Sequence, residues 1–139
     1  MNRMTRYLAP IAAVAMLAGC GLKEQFKDAD RDVARFHAAL DAGNYDGIWG
    51  MTGPTFRAAT KRAEFQKVLE AVHRKLGKVR TTKQTGWNAN AGTSGRTLVV
   101  TMATTFERGS GTETFTYAKD ADQLMLAGYN IQSEEMMLN

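Results

Sequence analysis

His37 and Asp41 stand four residues apart. On a helix that spacing places both side chains on one flank, within hydrogen-bonding reach. A histidine oriented by a carboxylate can act as a general base. The same two residues also suit a boundary pair beside an apolar stripe, and that is the expectation adopted. His73 follows Val72 amid Arg74 and Lys75, which points to a solvated side chain. Two histidines on separate helices, with no further ligand at suitable spacing, do not make a metal site. No cofactor is expected.

Acid–base isomerisation or hydration needs a buried carboxylate with a tyrosine or second acid nearby. Asp41, Asp46 and Glu113 could supply the carboxylate, and Tyr45, Tyr117 or Tyr129 the donor. Asp46 directly precedes Gly47 in a short segment, where a helix-terminal role suits it better. Glu113 alternates in register with Phe115 and Tyr117, so it faces the same side as two aromatic rings. A structural pair with Arg80 is expected there. Tyr45, Trp49, Trp87 and Tyr129 could line a pocket, although core packing is the expectation for each. HExxH, GxSxG, P-loop and CxxC patterns are absent, so no catalytic motif stands out and no catalytic residue is assigned.

These residues sit in a chain of 139 residues, 44% hydrophobic and 23% charged. That length suits one folded domain. The single cysteine, Cys20, excludes an internal disulfide and a multi-thiolate zinc site. Its setting is more informative than its number. Arg3 and Arg6 form a basic start, and Tyr7 to Ala18 is almost wholly apolar. About a dozen such residues fall short of the roughly 20 that span a bilayer but suit a secretory signal.

The tetrad Leu17-Ala18-Gly19-Cys20 resembles the lipobox of bacterial lipoproteins. Small residues at 18 and 19 admit the peptidase, and only a thiol can form the diacylglyceryl thioether. The resemblance implies that residues 1–19 are a cleaved signal peptide, cut between Gly19 and Cys20, and that Cys20 is lipid-modified and acylated, for example with palmitate. Acyl chains contribute about 0.8 kcal/mol per buried CH₂, enough together to hold the chain on a membrane. An Asp after the cysteine tends to retain such proteins in the inner membrane. Gly21 stands there instead, so the periplasmic face of the outer membrane is expected if the source is Gram-negative.

The remaining residues 20–139 read as one α+β domain. Leu22, Phe26, Ala29, Val33, Phe36 and Leu40 recur at spacings of 4, 3, 4, 3 and 4, an apolar stripe at helical period. The spacing predicts a helix from about residue 22 to Ala42, ended by Gly43. Asn44 can cap a short second helix through Tyr45, Ile48 and Trp49, broken at Thr52-Gly53-Pro54. Thr55 to Ala59 reads as a helical turn that places Phe56. A third helix from near Thr60 carries Phe65, Val68, Leu69, Val72 and Leu76 to Gly77.

The period then changes to 2. Val79, Thr81, Lys83, Thr85 and Trp87 mark a first strand, and Asn88 to Gly95 reads as a polar loop. Leu98, Val100, Met102, Thr104 and Phe106 form one face of the best strand, with Val99, Thr101 and Ala103 on the other. Arg108 to Gly111 makes a turn, Glu113 to Tyr117 a third strand, and Leu124 to Ile131 a fourth. The last eight residues read as a loosely held tail. Three N-terminal helices on a curved, four-stranded antiparallel sheet is the expected, cone-like plan.

Leu40-Asp41-x-Gly43-x-Tyr45-x-x-x-Trp49, Phe56, Phe65, Leu76-Gly77, Arg80, Phe106, Glu113 and Gly128-Tyr129-x-Ile131 together resemble the uncharacterised family called domain of unknown function 4019. The resemblance runs from about Val33 to Gln132. Phe65 and Leu124 stand where tryptophan is the family's pattern, and both remain apolar. What the resemblance implies is a framework like that of the nuclear transport factor 2 and cystatin-like folds, in a secreted or lipid-anchored protein. It implies no particular activity.

Net charge is +4 for the full chain. Loss of Arg3 and Arg6 would leave +2, too little for a strongly basic nucleic-acid binder, and no nucleic-acid partner is expected. From Arg57 to Lys83, nine basic residues face only Glu64 and Glu70. That segment could meet anionic lipid or an acidic envelope partner; the ordinary alternative is a solvated helix face. The functional expectation is a lipid-anchored, non-enzymatic binding or accessory domain. The alternatives are a small-molecule enzyme using Asp41 or Glu113 with a tyrosine, and a dimer formed through Val99, Thr101 and Ala103.

Overall fold

The apolar stripe does form a helix, α1 (Ala9–Asp41), and it stops where Gly43 takes a left-handed conformation, φ +69°. In this computed structural model residues 9–93 and 95–138 are described, with side chains from Gly21 onward. The signal-peptide reading of residues 1–19 and the Cys20 side chain therefore lie outside the described residues, apart from the helical backbone from Ala9. Ala29, Val33, Phe36 and Leu40 are buried, whereas Phe26 is half-buried and Leu22 exposed. Burial along the stripe thus fades towards Cys20.

Asn44 caps α2 (Tyr45–Gly50), accepting a hydrogen bond from the Gly47 N–H at 3.0 Å. The breaker Thr52-Gly53 lies along the sheet edge: Gly53 N–H donates to Leu126 O, and Leu126 N–H to Met51 O. The expected turn at Thr55 is a full short helix, α3 (Pro54–Ala59), begun by a proline that has no N–H to leave unpaired. α4 (Arg62–Leu76) follows and ends at Gly77, φ +78°. Four helices, rather than three and a turn, thus precede the sheet.

The sheet is an open antiparallel meander, β1 (Val79–Gly92), β2 (Gly95–Phe106), β3 (Gly109–Asp120) and β4 (Gln123–Gln132), in that spatial order. β2 follows the sequence closely, with Leu98, Val100, Met102, Thr104 and Phe106 all buried. β1 departs from expectation twice. It continues through Asn88 to Gly92, paired with β2 as far as Gly92 with Gly95, where a loop was expected. It also carries irregularities between Val79 and Thr81 and between Gln84 and Gly86. Each bulge reverses the alternation of sides. Thr82 and Gln84, not Thr81 and Lys83, therefore share the inner face with Val79, and Trp87 rejoins it opposite Val100.

The helices cover the inner face, where Phe36, Phe115 and Tyr129 meet at ring separations of 4.7 to 5.2 Å. On the opposite face Val99 and Thr101 are half-buried and Ala103 is exposed. The tail is not loose: Ser133 is buried and α5 (Glu134–Met137) returns Met136 to the core, where its carbonyl accepts from Lys75 Nζ at 3.0 Å.

Candidate functional site: an enclosed carboxylate

Glu113 sits at the centre of the inner face, on β3 between Met102 of β2 and Ile131 of β4. Thr104 and Tyr129 lie two residues further along those neighbours, the diagonal positions that side chains can reach across a sheet. α1 passes above and lowers His37 onto the same spot. Every polar group there converges on the carboxylate. Oε1 accepts from Thr104 Oγ1 at 2.6 Å and lies 2.7 Å from His37 Nε2; Oε2 accepts from the Tyr129 hydroxyl at 2.6 Å. Glu113 is fully enclosed and His37 nearly so, at 0% and 6% exposure.

Three donors on two oxygens suit an ionised carboxylate, which only accepts hydrogen bonds. The His37 contact is a hydrogen bond through Nε2, and an ion pair when the ring is protonated. The Tyr129 hydroxyl is held well above its ordinary pKa, first by burial, then by the Glu113 charge and by its hydrogen bond to Glu113. Tyr117, stacked on Phe115 two residues along, is also raised, chiefly by burial, and its enclosed hydroxyl has no hydrogen-bond partner among the described residues.

This cluster corrects several expectations. His37 is neither a boundary residue nor Asp41's partner; Asp41 instead accepts from the Val79 N–H at 3.0 Å, tying the end of α1 to the start of β1. Arg80 is exposed, because it occupies the first β1 bulge, and it is not among Glu113's partners. His73 is half-buried with Nδ1 enclosed and unpartnered, not solvated. Trp87 is not core: it is 55% exposed and stands edge-on against Phe26 at 5.0 Å.

Other expectations hold. Asp46 lies in the first turn of α2 and pairs with Arg62. Trp49 and Tyr45 are half-buried against the core. Arg57 lies over the Trp49 ring at 5.2 Å and donates to Thr52 and to Trp49 O, so this cation braces the core edge. Sequence reasoning missed Thr104 as a partner of Glu113. The signal was available, since Thr104 is the only hydroxyl residue on the apolar face of β2 and that face meets Glu113.

Among the described residues Glu113 is fully enclosed, at the floor of the helix-covered face. A groove of about 330 Å³ is lined by Phe56, Phe65, Val68, Gly128 and Tyr129. The larger groove, about 640 Å³, is polar and lies between α1 and the β3–β4 turn, flanked by Asp28, Asp32, Arg35 and Asp122. Burial raises the Asp32 carboxyl there, and Arg35 partly offsets this. Among the described residues no group of three or more acidic, histidine or cysteine side chains is placed to hold a metal, and no helix is long and apolar enough to cross a membrane.

No curated protein matches the chain. A family profile does, that of a protein of unknown function, DUF4019, over residues 33–129. The match takes in His37, Glu113, Thr104 and Tyr129, so the buried cluster lies wholly inside it. The chain, with its four-stranded meander under N-terminal helices, is a member of the DUF4019 family.

Proposed function

We propose that this protein is a lipid-anchored domain of the bacterial cell envelope, held through Cys20, that serves as a non-enzymatic binding or accessory module. The signal-like segment and the Leu17-Ala18-Gly19-Cys20 tetrad support the anchor. The periplasmic face of the outer membrane follows from Gly21 where the source is Gram-negative. One observation carries the non-enzymatic reading: the fully enclosed carboxylate of Glu113 has both oxygens bonded to internal donors. A general base needs a lone pair that faces substrate, whereas both Glu113 oxygens are enclosed and face protein donors.

The anchor is tested by substituting Cys20→Ala. The variant should accumulate as unprocessed precursor and lose palmitate labelling; normal maturation would refute the lipid reading. For the module reading, the acylated protein is cross-linked in membranes and its partners are identified. Tyr129→Phe, which keeps the ring, should retain those partners.

A second reading is favoured by one specific observation. Tyr129 lines the groove and donates its hydroxyl to Glu113. If that groove takes a small molecule, the Tyr129 hydroxyl would turn from Glu113 towards it to act as the acid, and Glu113 with His37 would return the proton. Loss of function in a well-folded Tyr129→Phe protein would favour this enzyme of the isomerase or hydratase type over the module.

A further inference from the structure

The apolar stripe of α1 outlasts the sheet that covers it. Ala29 and everything beyond it on the stripe is buried, yet Phe26 is half-buried and Leu22 is 36% exposed. The cover at this end is the tip of the β1–β2 hairpin, and it is thin. Trp87 lays its edge against Phe26 and leaves 55% of itself in solvent, and Ala89, Ala91 and Arg96 flank a shallow groove beside Leu22. A large indole left outside, at the one end where a helix stripe also runs out of partners, is unfavourable in water. It is well suited to an interface that is apolar on one side and wet on the other.

Cys20 stands two residues before Leu22 on the same helix, about 3 Å along its axis. We propose that this end of the domain rests in the bilayer interface, with Leu22, Phe26 and Trp87 at the boundary of headgroups and acyl chains. The inference rests on the lipid anchor proposed above. The anchor confines the domain to the surface; the apolar cluster sets which end faces it. Lys23, Lys27 and Arg96 are exposed here, against Glu24 and Asp28. With charges so nearly balanced, apolar contact rather than charge attraction holds this end against lipid. The long stems of the basic side chains can lie along lipid while their charges reach phosphate.

The test uses the mature acylated protein in phosphatidylcholine vesicles, with and without phosphatidylglycerol. Emission of the wild type is compared with Trp87→Phe; because Trp87 is exposed this variant folds, and the difference isolates Trp87 from Trp49. Trp87 emission should shift to shorter wavelength and be quenched by lipids brominated high on the acyl chain, in both vesicle types. An unshifted, unquenched Trp87 in protein whose mass confirms an acylated Cys20 would overturn the docking and leave the anchor standing. Quenching in anionic vesicles alone would overturn the apolar assignment. A mass showing no acyl chain on Cys20 would overturn the anchor and the docking together.

Discussion

Replacing Glu113 by leucine is the sharpest probe of how this fold is held. The substitution removes a charge and leaves three buried donors, on His37, Thr104 and Tyr129, facing an apolar group. An orphaned buried donor costs about 1–3 kcal/mol. His37 retains slight exposure and the two hydroxyls can rotate, so the lower half of that range applies to each, about 3–6 kcal/mol in sum. Leucine returns about 1–2 kcal/mol by burying apolar surface. The expected net loss is about 1–5 kcal/mol, against a typical total of about 5–15. Glu113→Gln keeps the shape and one acceptor oxygen, and should lose only about 1–2 kcal/mol. Urea titrations followed by tryptophan fluorescence measure both: the midpoint should fall in the order wild type, Gln, Leu, with the slope unchanged. A leucine variant as stable as the wild type would refute the claim that the carboxylate organises the sheet–helix interface.

Three further outcomes follow from the same interior. Tyr117→Phe deletes an enclosed hydroxyl with no hydrogen-bond partner among the described residues and should leave stability unchanged or raise it by up to about 1 kcal/mol; a loss above that in the same titration would show a partner. Tyr117 and Tyr129 both keep their protons in the folded state beyond the usual tyrosine range, whereas the unfolded chain releases them near pH 10. Stability is therefore full below that pH and falls above it, by up to about 1.4 kcal/mol per pH unit for each tyrosine, and thermal melts of Tyr129→Phe should fall less steeply. Gly43 and Gly77 both have positive φ, but a Cβ at Gly43 meets open space and one at Gly77 would lie 3.0 Å from Glu107 Cβ. Gly43→Ala should cost about 1 kcal/mol and Gly77→Ala more; equal midpoint shifts would refute the packing argument.

The sequence carried the elements better than the site. Helical spacing from Leu22 to Leu40, the glycine stops at 43 and 77, the Asn44 cap and the alternation of β2 are local signals, and each element formed where its signal stands. What failed depends on distant partners. Asn88 to Gly92 lack alternation because backbone pairing to β2, rather than side-chain burial, makes them a strand. The two β1 bulges shift sides without marking the sequence, and the first expels Arg80 from the face that Glu113 occupies. His37 was legible as chemistry but not as Glu113's partner, since 76 residues and a helix crossing separate them. The tail acquired structure from Lys75 and the core, which its own residues do not announce.

The direction of α1 has a consequence for what this protein can touch. Its start lies beside the hairpin tip and its end beside Val79, so the helix runs the length of the domain like a measuring rod. From Gly21 to Asp41 it is about 30 Å long. The cations gathered at its far end, among them Lys75, Lys78, Arg80 and Arg108, therefore stand at the pole opposite Cys20. With the Trp87 pole seated on lipid as proposed, these cations, and Glu107 and Glu135 that stand among them, would lie roughly 30 Å from the surface, beyond the screening length that separates them from the headgroups.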